Sequence, residues 1–174
     1  MTDNRLLLGS NNKKKRVELA AILDGLNCEI VTPAEVIPDF FGSGFEEPEE
    51  NGETFEDNAR IKAFYYSEVT GLPTLADDSG LVVDALEGRP GVHSSRYAGE
   101  DASDLDNCHK LLKELDSVPD HERTARFMCT IVVVNKGEVA GISTGTCEGT
   151  ILKEMTGKGG FGYDPLFLYQ PENR

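Results

Sequence analysis

Apolar and polar positions along this chain follow two different periods, and the switches between them mark where elements begin. Arg5-Leu6-Leu7-Leu8-Gly9 is a short apolar run ending in small residues, the pattern of a buried strand that delivers a loop. From Lys13 the period changes. Leu19, Ile22, Leu23 and Leu26 stand at i, i+3, i+4 and i+7, which predicts a helix with one apolar face. Glu29 to Val31 reads as a second strand, after which Pro33, Pro38, Gly42, Gly44 and Pro48 break all periodicity through Gly52. Thr54 is placed to cap a helix running to about Val69, with Phe55, Ala59, Ala63 and Tyr66 along one side and Asp57 in its first turn. Gly71-Leu72-Pro73 ends it.

Thr74-Leu75-Ala76 and Leu81-Val82-Val83 read as strand material on either side of a polar interruption, Asp77-Asp78-Ser79-Gly80. Leu105, Cys108, Leu112 and Leu115 recur at helical spacing. Ala125 to Asn135 and Glu138 to Glu148 look like paired strands turning at Asn135-Lys136-Gly137. The chain then enters a glycine-rich loop, Gly157 to Pro165, carrying Phe161 and Tyr163. With 174 residues, no internal repeat and no linker, one domain is expected over residues 1–174.

Charge narrows the function. Lys and Arg number 17 against 31 Asp and Glu, a formal net charge of −14, so a nucleic acid polymer would meet net repulsion and is not expected as a partner. The sequence has neither an apolar run long enough to span a membrane nor the basic, apolar, small-residue progression of a signal peptide, and it reads as cytoplasmic with no membrane partner. Its four cysteines are scattered without ligand spacing, which argues for buried thiols over a zinc site.

Four features carry chemistry. Ser10-Asn11-Asn12-Lys13-Lys14-Lys15 lies between a strand and a helix, where unpaired backbone N–H groups and the dipole favour an anion. Lysines there oppose the dipole by about 0.3–1 kcal/mol each unless an anion sits among them, which points to phosphate; an ordinary Ser/Asn cap with solvated lysines is the alternative. Second, an acidic stretch (Glu46, Glu47, Glu49, Glu50, Glu53, Glu56, Asp57) precedes the buried-looking Asp77-Asp78 pair. Acids from two segments suit Mg²⁺, which takes few carboxylate oxygens and shares phosphate oxygens with a substrate; a solvated acidic loop is the alternative for most of the glutamates. Third, Asn58 and Lys62, at i and i+4, can address one ligand. Fourth, Phe161 and Tyr163 among glycines suit either a platform for a flat base or an aromatic plug in the core.

Six motifs in order, Ser10-x-Asn12-x-x-Lys15, Glu50-x-Gly52-x-Thr54-Phe55, Asp57-Asn58-Ala59-x-x-Lys62-Ala63, Asp77-Asp78-Ser79-Gly80-Leu81, Gly91-x-x-Ser94-x-Arg96-Tyr97 and Phe161-Gly162-Tyr163-Asp164-Pro165, resemble the inosine/xanthosine triphosphate pyrophosphatase family. The resemblance implies an α/β fold, a long mixed β-sheet with flanking helices in two lobes around a nucleotide cleft. It also implies a homodimeric, Mg²⁺-dependent hydrolase that splits ITP, dITP and XTP into monophosphate and pyrophosphate by metal-assisted attack of water on the α-phosphorus. Carried over by position, Ser10, Asn11, Asn12, Lys13, Lys14 and Lys15 are expected to contact the triphosphate, and Lys15 and Lys62 to clamp it. Asp78 is then the general base and a metal ligand, with Glu50, or Glu49 beside it, as the second ligand. Ser79 is expected to contact substrate, and Phe161, Gly162, Tyr163 and Asp164 to orient the purine. The family continues past this loop with a lysine and a Ser-His-Arg motif that recognise the base. The sequence stops at Arg174 with its three histidines all before the loop, so that segment is expected to be absent. A nucleotide-binding protein without turnover and a pyrophosphatase for modified pyrimidine nucleotides are the alternatives.

Overall fold

The computed structural model describes residues 4–10, 12–37, 40, 46–157 and 159–169. Its elements are β1 (Arg5–Leu8), α1 (Lys13–Ile22), β2 (Glu29–Val31), the short α2 (Pro33–Val36), α3 (Phe55–Thr70), β3 (Thr74–Val83), α4 (Asp104–Glu114), β4 (Thr124–Asn135), β5 (Glu138–Ile151) and β6 (Phe167–Leu168). The strands form one mixed six-stranded sheet in the order β2-β1-β3-β4-β5-β6. β1 runs parallel to both β2 and β3, and β5 is antiparallel to β6. The expected α/β architecture, a mixed sheet flanked by helices, is the one observed.

Helix ends follow their caps. Thr54 Oγ1 accepts from the Asp57 N–H while the Asp57 carboxylate accepts from the Thr54 N–H, a reciprocal box that starts α3; Gly71, at φ 68°, ends it. Ser103 and Asp106 repeat the box at α4. Between β4 and β5, Lys136 and Gly137 both take positive φ, 52° and 76°, the turn that a two-residue hairpin demands.

Three expectations are corrected. The polar interruption at Asp77 to Gly80 does not split the strand: β3 is continuous for ten residues. Polar side chains in a buried strand break it only when unpartnered, and these two aspartates have partners from different helices, described below. The predicted apolar face of α1 is also narrower than its spacing suggested. Only Leu19 is buried, with Leu23 packed at the edge of the same cluster, while Ile22 is 76% and Leu26 53% exposed. The helix ends at Ile22 and Gly25 turns the chain at φ 90°, so Leu26 never shares the face. On α4 the buried set is Asn107, Cys108 and Leu111 with Leu115 as C-cap, and Leu105 points outward.

The chain divides into two compact units, residues 1–78 with 130–144 and residues 79–129 with 145–174. No linker signals the division because it falls inside β3, β4 and β5. In the first unit, Leu8, Leu19 and Leu75 pack together under α1, whereas Ala59, Ala63, Ala76, Val132 and Val134 pack under α3. The second unit has one core cluster, centred on Leu81, Val83, Cys108, Leu111, Leu115, Tyr163 and Leu166. Arg123, 2% exposed, ties it together by donating to the carbonyls of Leu115, Val118, Ile151 and Leu152. No helix among the described residues is long and apolar enough to cross a membrane.

Candidate active site

Topology delivers charge to both faces of β3. β2 and β3 lie on opposite sides of β1, so the two crossovers, through α1 and through α3, travel in opposite directions across the sheet. Crossovers of one hand that travel in opposite directions put their helices on opposite faces. Successive strand side chains alternate between those faces. Leu75 and Asp77 therefore face α1, and Ala76 and Asp78 face α3.

On the α1 face, Asn12 is a true N-cap: its Oδ1 accepts from the N–H groups of Lys14 and Lys15 at 3.0 and 3.2 Å, and Ser10 Oγ accepts from the Asn12 N–H at 3.3 Å. Asn12 is thus the helix cap and Ser10 braces the turn before it, bonds that leave the expected phosphate contacts of both residues a separate question. For the lysines the solvated alternative holds in part. Lys13 and Lys14 are exposed, whereas Lys15, four residues before the buried Leu19 and so on the same helix face, turns inward. Its Nζ lies 2.7 Å from Asp77 Oδ2. Asn11 lies outside the described residues.

On the α3 face, Asp78 is 7% exposed. Asn58, fully buried, donates from Nδ2 to Asp78 Oδ2 at 3.1 Å, and Lys62 Nζ lies 3.5 Å from Asp78 Oδ1 and 3.0 Å from Glu50 Oε2. Asn58 also works in the other direction, its Oδ1 accepting the Gly52 N–H at 2.8 Å. A Cβ at position 52 would sit 2.5 Å from Asp57 Cβ and 2.7 Å from Asn58 Oδ1, so the glycine is what lets the acidic loop come this close and bring Glu50 to Lys62. Tyr65 anchors the start of that loop by donating to the Glu46 carbonyl at 2.5 Å. Glu49 is exposed, and Asp57 is occupied by its capping box.

Burial pushes the Asp78 carboxyl above its ordinary range; the Lys62 charge, the Asn58 hydrogen bond and, farther off, Lys15 oppose that rise, and Glu50 adds to it. Glu47 is raised too, first by desolvation and then by Glu50. The arrangement is a desolvated carboxylate beside a second acid, bridged by an ammonium, with another buried ion pair on the reverse of the strand. Such a group suits proton abstraction near anionic ligands. Among the described residues no three His, Cys, Asp or Glu side chains gather as a metal cage. Two carboxylates do fit a cation that completes its shell with water and phosphate oxygens.

Ser79, the next residue of β3, is half-buried and opens the second unit. There the loop at Phe161 to Asp164 is folded on its own hydrogen bonds. Asp164 Oδ2 accepts from the Phe161 N–H at 2.8 Å, Asp104 Oδ2 accepts from the Gly162 N–H at 2.9 Å, and the Gly162 carbonyl faces Cys108 Sγ at 3.4 Å. Tyr163 is 4% exposed in the core and donates its hydroxyl to the Ser94 carbonyl at 2.9 Å. Tyr163 is thus packed into the core, while Phe161 is half-buried.

Spacing pairs Asn58 with Lys62 but does not reveal that Asn58 bridges Asp78 to the acidic loop, nor that Asp77 and Asp78 serve different lysines. Strand alternation was the available signal for the second point.

Comparison with known proteins places the chain among relatives. The dITP/XTP pyrophosphatase of Geobacter sulfurreducens is 54% identical over 164 residues, covering 94% of this chain and 79% of that protein, and the dITP/XTP pyrophosphatase of Escherichia coli O157:H7 is 43% identical over 172 residues, covering 98% and 84%. The solved structure of a HAM1 protein from Coxiella burnetii superposes with a TM-score of 0.85 at 40% identity over 98% of this chain and 84% of that one. The Ham1 family profile matches residues 6–174, and the chain belongs to the Ham1 family.

Proposed function

We propose that this chain hydrolyses dITP, ITP and XTP to the monophosphate and pyrophosphate, with Mg²⁺ as its cofactor. The observation that carries the reading is the buried Asp78, held by Asn58 and flanked by Lys62 and Glu50, with the Lys15–Asp77 pair behind it on the same strand. The dITP/XTP pyrophosphatase activity named for relatives at 43–54% identity supports the choice of substrate.

Lys15 and Lys62 neutralise triphosphate oxygens and fix the chain of phosphates against β3. Asp78 takes a proton from the attacking water as its oxygen bonds to the α-phosphorus. The bond from the α-phosphorus to the bridging oxygen breaks, and pyrophosphate leaves with the electron pair. Glu50 and Asp78 would hold Mg²⁺, which when bound offsets phosphate charge and makes a coordinated water more acidic. Asn58 keeps one Asp78 oxygen engaged so that the other faces the reaction. Ser10 and Asn12 hold the turn that aims Lys15. The base contacts assigned to Phe161, Gly162 and Asp164 rest on the resemblance alone.

The chain is proposed to work in the cytoplasm as a homodimer. Residues 140–148 of β5 are exposed, a surface that a second copy would cover, and sedimentation equilibrium tests this. The activity is tested by incubating the protein with dITP and Mg²⁺ and separating products by anion exchange. Equimolar dIMP and pyrophosphate are expected; dIDP with orthophosphate would reject the reading.

A further inference from the structure

Asp77 has no part in the chemistry above, yet it is as deeply buried as any charged group in the first unit, 3% exposed in the middle of β3. One of its oxygens, Oδ2, holds Lys15 Nζ at 2.7 Å. The other, Oδ1, is the one buried side-chain nitrogen or oxygen among the described residues that lacks a hydrogen-bond partner. A desolvated carboxylate left half-satisfied in the core is costly, and sites that tolerate such a cost are those where a ligand's arrival changes the bonding. Alternation along β3 sets this carboxylate on the opposite face from Asp78, so it does not share the Glu50 and Lys62 cluster.

We propose that Asp77 is the positioning residue for Lys15: it fixes the ammonium on the α1 face of β3 as a preformed triphosphate contact. The inference rests on the triphosphate reading of Lys15. Each lysine thereby has its own acid. Lys62 belongs to Glu50 and Asp78 on one face, and Lys15 belongs to Asp77 on the other. The Lys15 ammonium carries three N–H bonds, of which the contact with Asp77 Oδ2 uses one. A preordered cation loses little entropy on binding, whereas a free lysine would lose most of its side-chain freedom.

The sign of the effect separates positioning from simple charge. Removing a negative group from a protein of net charge −14 should, by charge alone, tighten binding of a polyanion. Positioning demands the reverse. The experiment is calorimetric titration of Mg²⁺-tripolyphosphate into the wild type, Asp77→Asn, Lys15→Met and the double variant, with thermal melts to establish folding. Asp77→Asn should weaken binding by about fivefold or more, and in the Lys15→Met background it should weaken it no further, the non-additivity of a coupled pair. With dITP the same substitution should raise KM and leave kcat within about threefold, the pattern of lost binding common to ground and transition states. Asp77→Glu, which keeps the charge, should recover most of the loss. Asp77→Ser carries the same expectation as Asp77→Asn and replaces it if the amide does not fold. Tighter or unchanged binding in Asp77→Asn, or losses that simply add in the double variant, would overturn the proposal while leaving the phosphate site standing. Absence of tripolyphosphate binding by the wild type would overturn the underlying reading and the inference with it.

Discussion

The two regions that the sequence marks as functional, the charged middle of β3 in the first unit and the Phe161 to Asp164 loop in the second, are built on opposite principles. Around β3, charge is arranged with bonding capacity left over: Lys62 bridges two acids at 3.0 and 3.5 Å, Asp77 keeps an oxygen without a partner, and Asp78 is desolvated beyond what its partners offset. In the loop, polar groups are spent internally: the Asp164 and Asp104 carboxylates take the loop's own amides, and the Tyr163 hydroxyl takes a backbone carbonyl. Motifs of equal clarity in the sequence can therefore differ in how far the fold has already used their polar groups. Unspent polar capacity at low exposure is the sign of a candidate reaction site.

The sharpest way to break this contrast is Asp78→Asn. A lost general base costs about 10²–10⁴ in rate, and turnover should fall by at least about 10³. Stability should move the other way. Because folding raises the Asp78 pKa, the ionised form is worse off in the folded than in the unfolded chain, so stability declines as pH rises from below the ordinary carboxylate value through the raised one. A neutral amide escapes that decline. Thermal denaturation at neutral pH should show a melting temperature equal to or above the wild type's; a clear drop would mean that Asp78 is a structural residue.

Gly52→Ala should come next in size. The new Cβ meets Asp57 and Asn58 and must push the loop carrying Glu50 away, and displacements of about 1 Å at a reacting centre cost about 10²-fold. Both kcat/KM and Mn²⁺ affinity should fall, with the melting temperature changed much less than the rate. Tyr163→Phe reverses that pattern. It deletes only the hydroxyl donated to Ser94, so stability should drop by about 1 kcal/mol in urea titration with kcat held within about twofold. A large loss of kcat at unchanged stability would return the loop to the reaction.

The smallest effect concerns pH. Hydrogen bonds from Ser103 lower the Asp106 pKa in the folded chain, so the capping box at α4 is stabilising above the ordinary carboxylate value and is lost as pH falls through the lowered one. Asp106→Asn should flatten the acid limb of the stability curve slightly without altering turnover at neutral pH.

What the sequence made legible was local. The cap at Thr54, the turn at Lys136-Gly137 and the strand at Arg5 to Leu8 are written in adjacent residues, and each stands where spacing placed it. The continuity of β3 was not legible, because the reason Asp77 and Asp78 do not break it comes from α1 and α3, remote in sequence. Ile22 satisfied a helical period yet faces outward, since periodicity cannot say where a helix stops. At the site, residue types and spacing picked out the Lys13 to Lys15 cluster, the acidic stretch, the Asp77-Asp78 pair and Lys62, and the family resemblance narrowed these to Lys15, Glu50, Lys62 and Asp78. Geometry was needed to divide the two lysines between the two faces, and to find that Asn58 joins the acidic loop to Asp78.

If water attacks the α-phosphorus in a reaction organised by Asp78, heavy-oxygen water will reveal it. Wild-type protein turning over dITP with Mg²⁺ in labelled water should place the label in dIMP, leave pyrophosphate unlabelled, and release no orthophosphate. Label in pyrophosphate, or release of orthophosphate, would put the attack on another phosphorus and remove Asp78 from the proposed role.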